Sequence, residues 1–198
     1  MLELNKRQDA VDSARGDMEG HTKSEVYHYT EVNRVRDAID SHRMRLVGVL
    51  DKTDVDCVSY SSHDVKVTND QTTKATIKYI ESKMKPKPSI KFPRVFIGEF
   101  CISARLAGDD PAQHDRRNCE RLITFLESGV PYILYWQMYS NELTEDRSRQ
   151  EGVWLIDDNE DEWPFYRTLQ ALYKAQKTFT DARQGSIDWL KHHLSMMQ

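Results

Sequence analysis

The chain has 198 residues, with 28 Lys and Arg against 32 Asp and Glu and a formal net charge of −4, a size that fits one domain. A near-neutral pI of about 6.0 gives no electrostatic case for a nucleic-acid partner. The longest uncharged run, Ser128 to Asn141, is about 14 residues, against roughly 18 or more for a membrane span, so no membrane association is expected. The N-terminus lacks the apolar stretch of a signal peptide, which makes the cytoplasm the expected compartment unless a preceding segment carries a signal of its own.

Cys57, Cys101 and Cys119 are odd in number, widely spaced and without a CxxC pair. Free, buried thiols are expected, with neither a disulfide framework nor a zinc site. His192 and His193 are adjacent, so on a helix they point in different directions, and no carboxylate or thiol cluster accompanies them in the sequence. Neither a metal nor a cofactor is expected.

In chain order, Leu4 to Arg15 spaces Leu4, Ala10, Val11 and Ala14 for one helical face, and Gly16 and Gly20 follow as a turn. Glu25 to Val32 is rich in β-branched and aromatic residues and predicts a first strand. Asn33 to Ser41, with Val35, Ala38 and Ile39, has helical spacing, and Leu46 to Leu50 extends that layer as helix or strand. Val55 to Ser62 predicts a second strand and Thr72 to Met84 the helix after it. Lys85-Pro86-Lys87-Pro88 stops that helix, because proline lacks a backbone donor and restrains the residue before it; its lysines read as a solvated connector.

Arg94 to Phe100 predicts the third strand and Pro111 to Leu126 a helix closed by Gly129. Pro131 to Tyr139 is a continuous apolar run, the pattern of a parallel strand covered on both faces. Gly152 to Asp157 reads as a short ribbon before a helix from Pro164 to Lys177, and residues 178–198 as a C-terminal tail. A helix followed by four βα units implies an α/β fold with parallel strands and right-handed crossovers, in a single domain over 1–198 with its core at about 5–177.

Polar chemistry stands at the C-terminal ends of these strands. Glu99 follows Val95-Phe96-Ile97-Gly98, as a catalytic carboxylate at the mouth of a βα-barrel or as a strand-end glutamate in a surface ion pair. Gly98 permits close approach to the backbone by a bulky group or a sugar. Trp136-Gln137 takes the equivalent place on the next strand. Its indole is either a platform for the C–H face of a sugar, with an N–H for a hydroxyl, or an ordinary core aromatic. Tyr60 ends Val58-Ser59-Tyr60 and either donates to a neighbouring carboxylate or simply packs. His28, Glu31 and Asn33 cluster at the end of the first strand, as site residues or as strand-end solvation.

Arg94-Val95-Phe96-Ile97-Gly98-Glu99-Phe100, then Tyr132-Ile133-Leu134-Tyr135-Trp136-Gln137, then Gly152-Val153-Trp154-Leu155-Ile156-Asp157 together resemble the end of a clan A-type (β/α)8 glycoside hydrolase. Tyr27 to Asn33 and Val58 to Ser62 fit that family's fifth and sixth strands, so the resemblance runs over about residues 5–177. It implies half of a TIM barrel, strands five to eight, and retaining hydrolysis of O-glycosidic bonds. Glu99 corresponds to the nucleophile, and Tyr60 to the residue that orients it and holds it ionised. Trp136, Gln137 and His28 correspond to residues contacting the substrate.

The family's acid/base glutamate stands in an Asn-Glu pair at the end of the fourth strand. No Asn-Glu precedes the first strand here, and Asn141-Glu142 lies after the last one, so the acid/base half is expected to be missing. Glu3, Glu31 and Glu142 are the carboxyls to consider if the chain turns over substrate by itself. The alternative expectation is an inactive half-barrel acting as a carbohydrate-binding or protein-interaction module. Carbohydrate is the expected partner, and a half-barrel's open edges predict a homodimer.

Overall fold

The computed structural model describes residues 27–31, 50–62, 70–139 and 142–197, with positions 9 and 13. The helices expected over 4–15 and 33–41 and the layer over 46–49 lie outside these residues, apart from 9 and 13, which are both helical. Glu3 and Asn33 are outside them too. The fold is α/β. Four strands, β1 (Tyr27–Glu31), β2 (Cys57–Ser61), β3 (Val95–Phe100) and β4 (Ile133–Tyr135), form one parallel sheet in sequence order. Among the described residues four helices of more than two turns accompany them: α1 (Asp70–Lys83), α2 (Pro111–Glu127), α3 (Pro164–Gln176) and α4 (Ala182–Met196). None is long and apolar enough to cross a membrane.

Two compact units divide the chain, one within residues 1–98 and 129–133, the other within 99–128 and 134–198. In the first, β1 and β2 pair in parallel from Tyr27 opposite Cys57 to Glu31 opposite Ser61. All of β2 is buried except the half-buried Ser59. Helix α1 buries Thr73, Thr76, Ile77 and Ile80, a stripe at three- and four-residue spacing. The Val58 N–H reaches the Arg94 carbonyl at 2.8 Å. The buried Arg94 guanidinium donates to the carbonyls of Asp56 (2.7 Å), Val55 (2.7 Å) and Lys85 (2.5 Å), tying the connector after α1 to the start of β2.

That connector is not the solvated segment its lysines suggest. Lys87 is half-buried, 2.5 Å from Asp56 Oδ1 and 3.0 Å from Asp54 Oδ1. Asp54 and Asp56 precede β2 on alternate positions, and only the fold brings them to Lys87. Gly98 does admit a close neighbour, as expected, but the neighbour is Ser59: a Cβ at 98 would overlap the Ser59 hydroxyl.

In the second unit, α2 starts at Asp110, whose carboxylate takes the Ala112 N–H at 2.9 Å, with Pro111 at the first helical position. Phe100, Phe125, Tyr135 and Phe165 interlock edge-on or tilted, with centroids 5.2–5.3 Å apart for Phe100–Phe125, Phe100–Tyr135 and Tyr135–Phe165. Segment 178–198, expected as a tail, contains α4. Asp181 caps it by accepting the N–H groups of Arg183 and Gln184, both at 2.9 Å, and Ile187 and Leu190 are buried.

The fourth strand is shorter than its apolar run, three residues instead of the nine of 131–139. It is not covered on both faces, since Tyr132 is 61% and Leu134 54% exposed. After Tyr135 the backbone turns to the following loop: the Gln137 N–H goes to the Val153 carbonyl (2.7 Å), and the Gln137 carbonyl accepts from Leu155 (3.0 Å). The expected ribbon over 152–157 consists of isolated bridges, Ile156 pairing with Tyr139 and with Glu162.

Candidate functional site

Glu99 is half-buried and next to last in β3, and Trp136 follows directly on β4. The two strand ends are joined where the Trp136 N–H meets the Phe100 carbonyl at 3.0 Å. Just beyond β3 the chain is held by Asn118 of α2. Its side chain accepts from the Ile102 N–H (2.9 Å) and donates to the carbonyls of Ile102 (3.2 Å) and His114 (2.9 Å). Asn118 therefore does for Ile102 what another strand would do, and it fixes the chain a few residues after Glu99.

Trp136 is half-buried, and its indole N–H is donated to Glu142 Oε1 at 2.7 Å. Neither expectation for this indole, sugar platform or core aromatic, includes this partner, a carboxylate of the same loop. The Trp136–Gln137 peptide is cis, and Gln137 is half-buried. Around buried Cys101 three carboxylates gather. Burial raises its thiol pKa most, and Glu142, Glu151 and Glu99 raise it further. Glu99 and Glu142 thus act on one locality, which their separation of 43 positions conceals.

The other predicted site residues belong to the first unit. Tyr60 lies in β2 and is wholly buried. His28 and Glu31 lie in β1, His28 opposite Val58 and Glu31 opposite Ser61.

After β4, the loop through Leu143 and Gln150 closes by an antiparallel bridge and carries an open concavity of about 530 Å³. Its lining is polar, with Arg105, Thr144, Asp146, Arg149 and Glu151 in it. Arg105 is bidentate to Glu151, at 2.7 and 3.2 Å. Asp146 accepts from the Thr144 hydroxyl (2.5 Å) and from the Ser148 N–H (3.0 Å) and hydroxyl (2.7 Å), which hold its carboxyl down at about 2.

One constellation escaped the sequence. His193 has both a carboxylate and a thiol beside it, contrary to the reading of the His192-His193 pair. His193 Nε2 is 3.2 Å from Asp115 Oδ2, and the Cys119 thiol donates to Asp115 Oδ1 at 3.4 Å. The ligand atoms of these three side chains lie within 4.8 Å of one another. Burial, then Asp115, pushes the Cys119 thiol well up. The i, i+4 spacing of Asp115 and Cys119 on α2 is visible in the sequence, but their partner is 78 positions from Asp115, on α4, within the segment expected as a tail.

No family model, curated protein or solved structure matches this chain. The fold class is that of an α/β protein with a parallel four-stranded sheet.

Proposed function

We propose that this chain carries the nucleophile and sugar platform of a retaining glycoside hydrolase of TIM-barrel type. The observation that supports this reading is the pair of adjacent strand ends: Glu99 closing β3 and Trp136 leaving β4, coupled through the Trp136 N–H and the Phe100 carbonyl at 3.0 Å. Ends of neighbouring parallel strands are where barrel enzymes assemble their chemistry. A carboxylate and a flat indole carried on neighbouring strand ends suit an electron-poor anomeric carbon and the apolar face of a pyranose.

In this reading a Glu99 oxygen attacks the anomeric carbon. The bond to the leaving oxygen breaks with its electron pair; the second carboxyl that protonates that oxygen in retaining enzymes, about 5–5.5 Å from the nucleophile, belongs to the half expected to be missing, so only an activated leaving group that departs as its anion is released readily. Water then attacks the glycosyl ester slowly, losing its proton to solvent and releasing Glu99 as carboxylate. Trp136 holds the ring, and Glu142 holds Trp136.

The test is covalent trapping. A 2-fluoro glycoside with an activated leaving group should label the chain once, and peptide mapping should place the label on Glu99. Glu99→Gln should abolish the label while leaving the melting transition in place, because the amide is nearly isosteric but a poor nucleophile. A label on another carboxylate, or no label across a panel of common sugars, overturns the proposal.

A further inference from the structure

We propose that Asp115, Cys119 and His193 bind one divalent ion of the zinc class, clamping α4 onto α2. The inference does not depend on the glycosidase reading, and all three residues lie in the second unit.

The three ligand atoms stand within 4.8 Å of one another, a little wider than a coordination shell. Four ligands at zinc's usual bond lengths of about 2.0–2.3 Å stand roughly 3.3–3.7 Å from one another around a tetrahedron. Cys119 Sγ is 3.4 Å from Asp115 Oδ1, and His193 Nε2 is 3.2 Å from Asp115 Oδ2. The origin of two ligands is local: residues four apart on α2 share a face. The third comes from α4, whose ring orientation is restrained by Trp189, stacked on His193 at 5.4 Å with 7° between the planes.

The donor set is selective. A thiolate, an imidazole and a carboxylate suit zinc or cobalt, whereas magnesium and calcium take oxygen ligands. Charge also balances, since thiolate and carboxylate together cancel the two positive charges of the ion at a site where Asp115 and Cys119 are buried. The His193 side chain, 28% exposed, leaves a route for the ion and for water as fourth ligand. Beside these ligands, the Thr168 hydroxyl donates to Asp115 Oδ2 at 3.1 Å, which places on α3 a partner that orients the carboxylate.

Without the ion, the same atoms form a hydrogen-bond cluster in which thiol, hydroxyl and imidazole surround the Asp115 carboxylate. Binding replaces those hydrogens: the Cys119 proton passes to solvent, and the single proton of the neutral imidazole moves from Nε2, where it faces Asp115, to Nδ1, which frees Nε2 for the ion. One proton is therefore released for each ion bound.

The experiment uses the full chain, stripped with a chelator and titrated with Co²⁺ and then Zn²⁺. One equivalent of Co²⁺ should produce a thiolate-to-cobalt charge-transfer band that Zn²⁺ abolishes, and calorimetry in buffers of different ionisation enthalpy should report one proton released. Cys119→Ser should lose the band, and His193→Gln, at the exposed rim where folding is least at risk, should lose it as well. Thr168→Val should keep one equivalent but bind about tenfold to a hundredfold more weakly. A band that survives unchanged in Cys119→Ser, or no band and no zinc-dependent rise in melting temperature for the stripped chain, overturns the site and leaves Asp115 as a hydrogen-bond hub alone.

Discussion

The Trp136 indole N–H is donated to Glu142 Oε1 at 2.7 Å, across six positions and past the end of β4. The carboxylate fixes the edge of the indole and so sets the plane of its faces. By contrast, the buried Trp154 indole N–H has no hydrogen-bond partner among the described residues, and that of Trp163 goes to Asp157 at 3.2 Å. In Glu142→Ala, the Trp136 indole proton should move upfield and exchange faster with deuterium, while the Trp163 proton stays in place. Glu142→Gln, which keeps an acceptor, should fall between. Equal exchange in wild type and Glu142→Ala would show that the bond does not hold the ring in solution.

The Trp136 platform makes a separate prediction about sugar. Trp136→Ala should weaken the binding of whichever glycoside labels Glu99 by at least about tenfold, since an aromatic contact is worth roughly 0.5–1.5 kcal/mol beyond the area that it buries. Trp136→Phe should retain much of the affinity while losing the bond to Glu142. Titration calorimetry on the Glu99→Gln background separates binding from turnover. Unchanged affinity in Trp136→Ala would remove the indole from the site.

Gly98 and Ser59 form a steric lock between β3 and β2. Gly98→Ala places a methyl on the Ser59 hydroxyl, and a change of this kind in a packed sheet costs about 1–3 kcal/mol. Ser59→Gly should restore most of that loss in the double variant, because it removes both the hydroxyl and its carbon. A double-mutant cycle from urea denaturation measures the coupling. Additive losses would mean that the strain falls elsewhere.

Two glycines share a left-handed backbone but not an environment. Gly108 has φ 74° with nothing near its missing side chain, whereas Gly152 has φ 75° and a Cβ there would lie 2.5 Å from Ala104 Cβ. Gly108→Ala should cost only the conformational penalty, about 1–2 kcal/mol. Gly152→Ala should cost that plus the clash, and should disturb the Ala104 N–H bond to the Gly152 carbonyl at 2.6 Å. Equal losses on chemical denaturation would contradict the packing described at Ala104.

Asp146 predicts a pH dependence. Its carboxyl is held at about 2 by the Thr144 hydroxyl first and by Ser148 next, below the roughly 3.9 of an unfolded aspartate. The folded loop thus favours the ionised form: this stabilisation is complete above about pH 4 and is lost as pH falls through 2. The Ser148 amide proton should titrate near 2 by NMR, and Asp146→Asn should flatten the curve. A midpoint near 4 would mean that the hydroxyl contacts do not persist.

The strands were legible where one short run decided them. Val95 to Phe100 is strand because a run of β-branched and aromatic residues follows Pro93-Arg94, and α2 begins at Pro111, a residue suited to a first helical turn. The apolar run through Tyr132 and Leu134 misled, because hydrophobicity does not say whether a face is covered. In α4 the signal was present, with Asp181 as a cap and Ile187, Leu190 and Leu194 at helical spacing, but it was passed over as tail. The Asp115 constellation was legible only in part: its i, i+4 pair is on one helix, while Thr168 and His193 reach it through packing that no local pattern encodes. Lys87 makes the same point, since its partners precede β2 by a few residues and precede Lys87 by more than 30.

The three sequestered cysteines turn the molecule into its own stopwatch. Cys57 sits in the first unit at 2% exposure, and Cys101 and Cys119 sit in the second at 4% and 0%. A shielded thiol is alkylated only when the structure around it breathes, so the labelling rate under native conditions counts opening events. Mass spectrometry distinguishes the three peptides, and one labelling series therefore clocks both units side by side without an added probe. If Cys57 is modified at a different rate from the other two, the units open independently; if all three keep time together, they open as one.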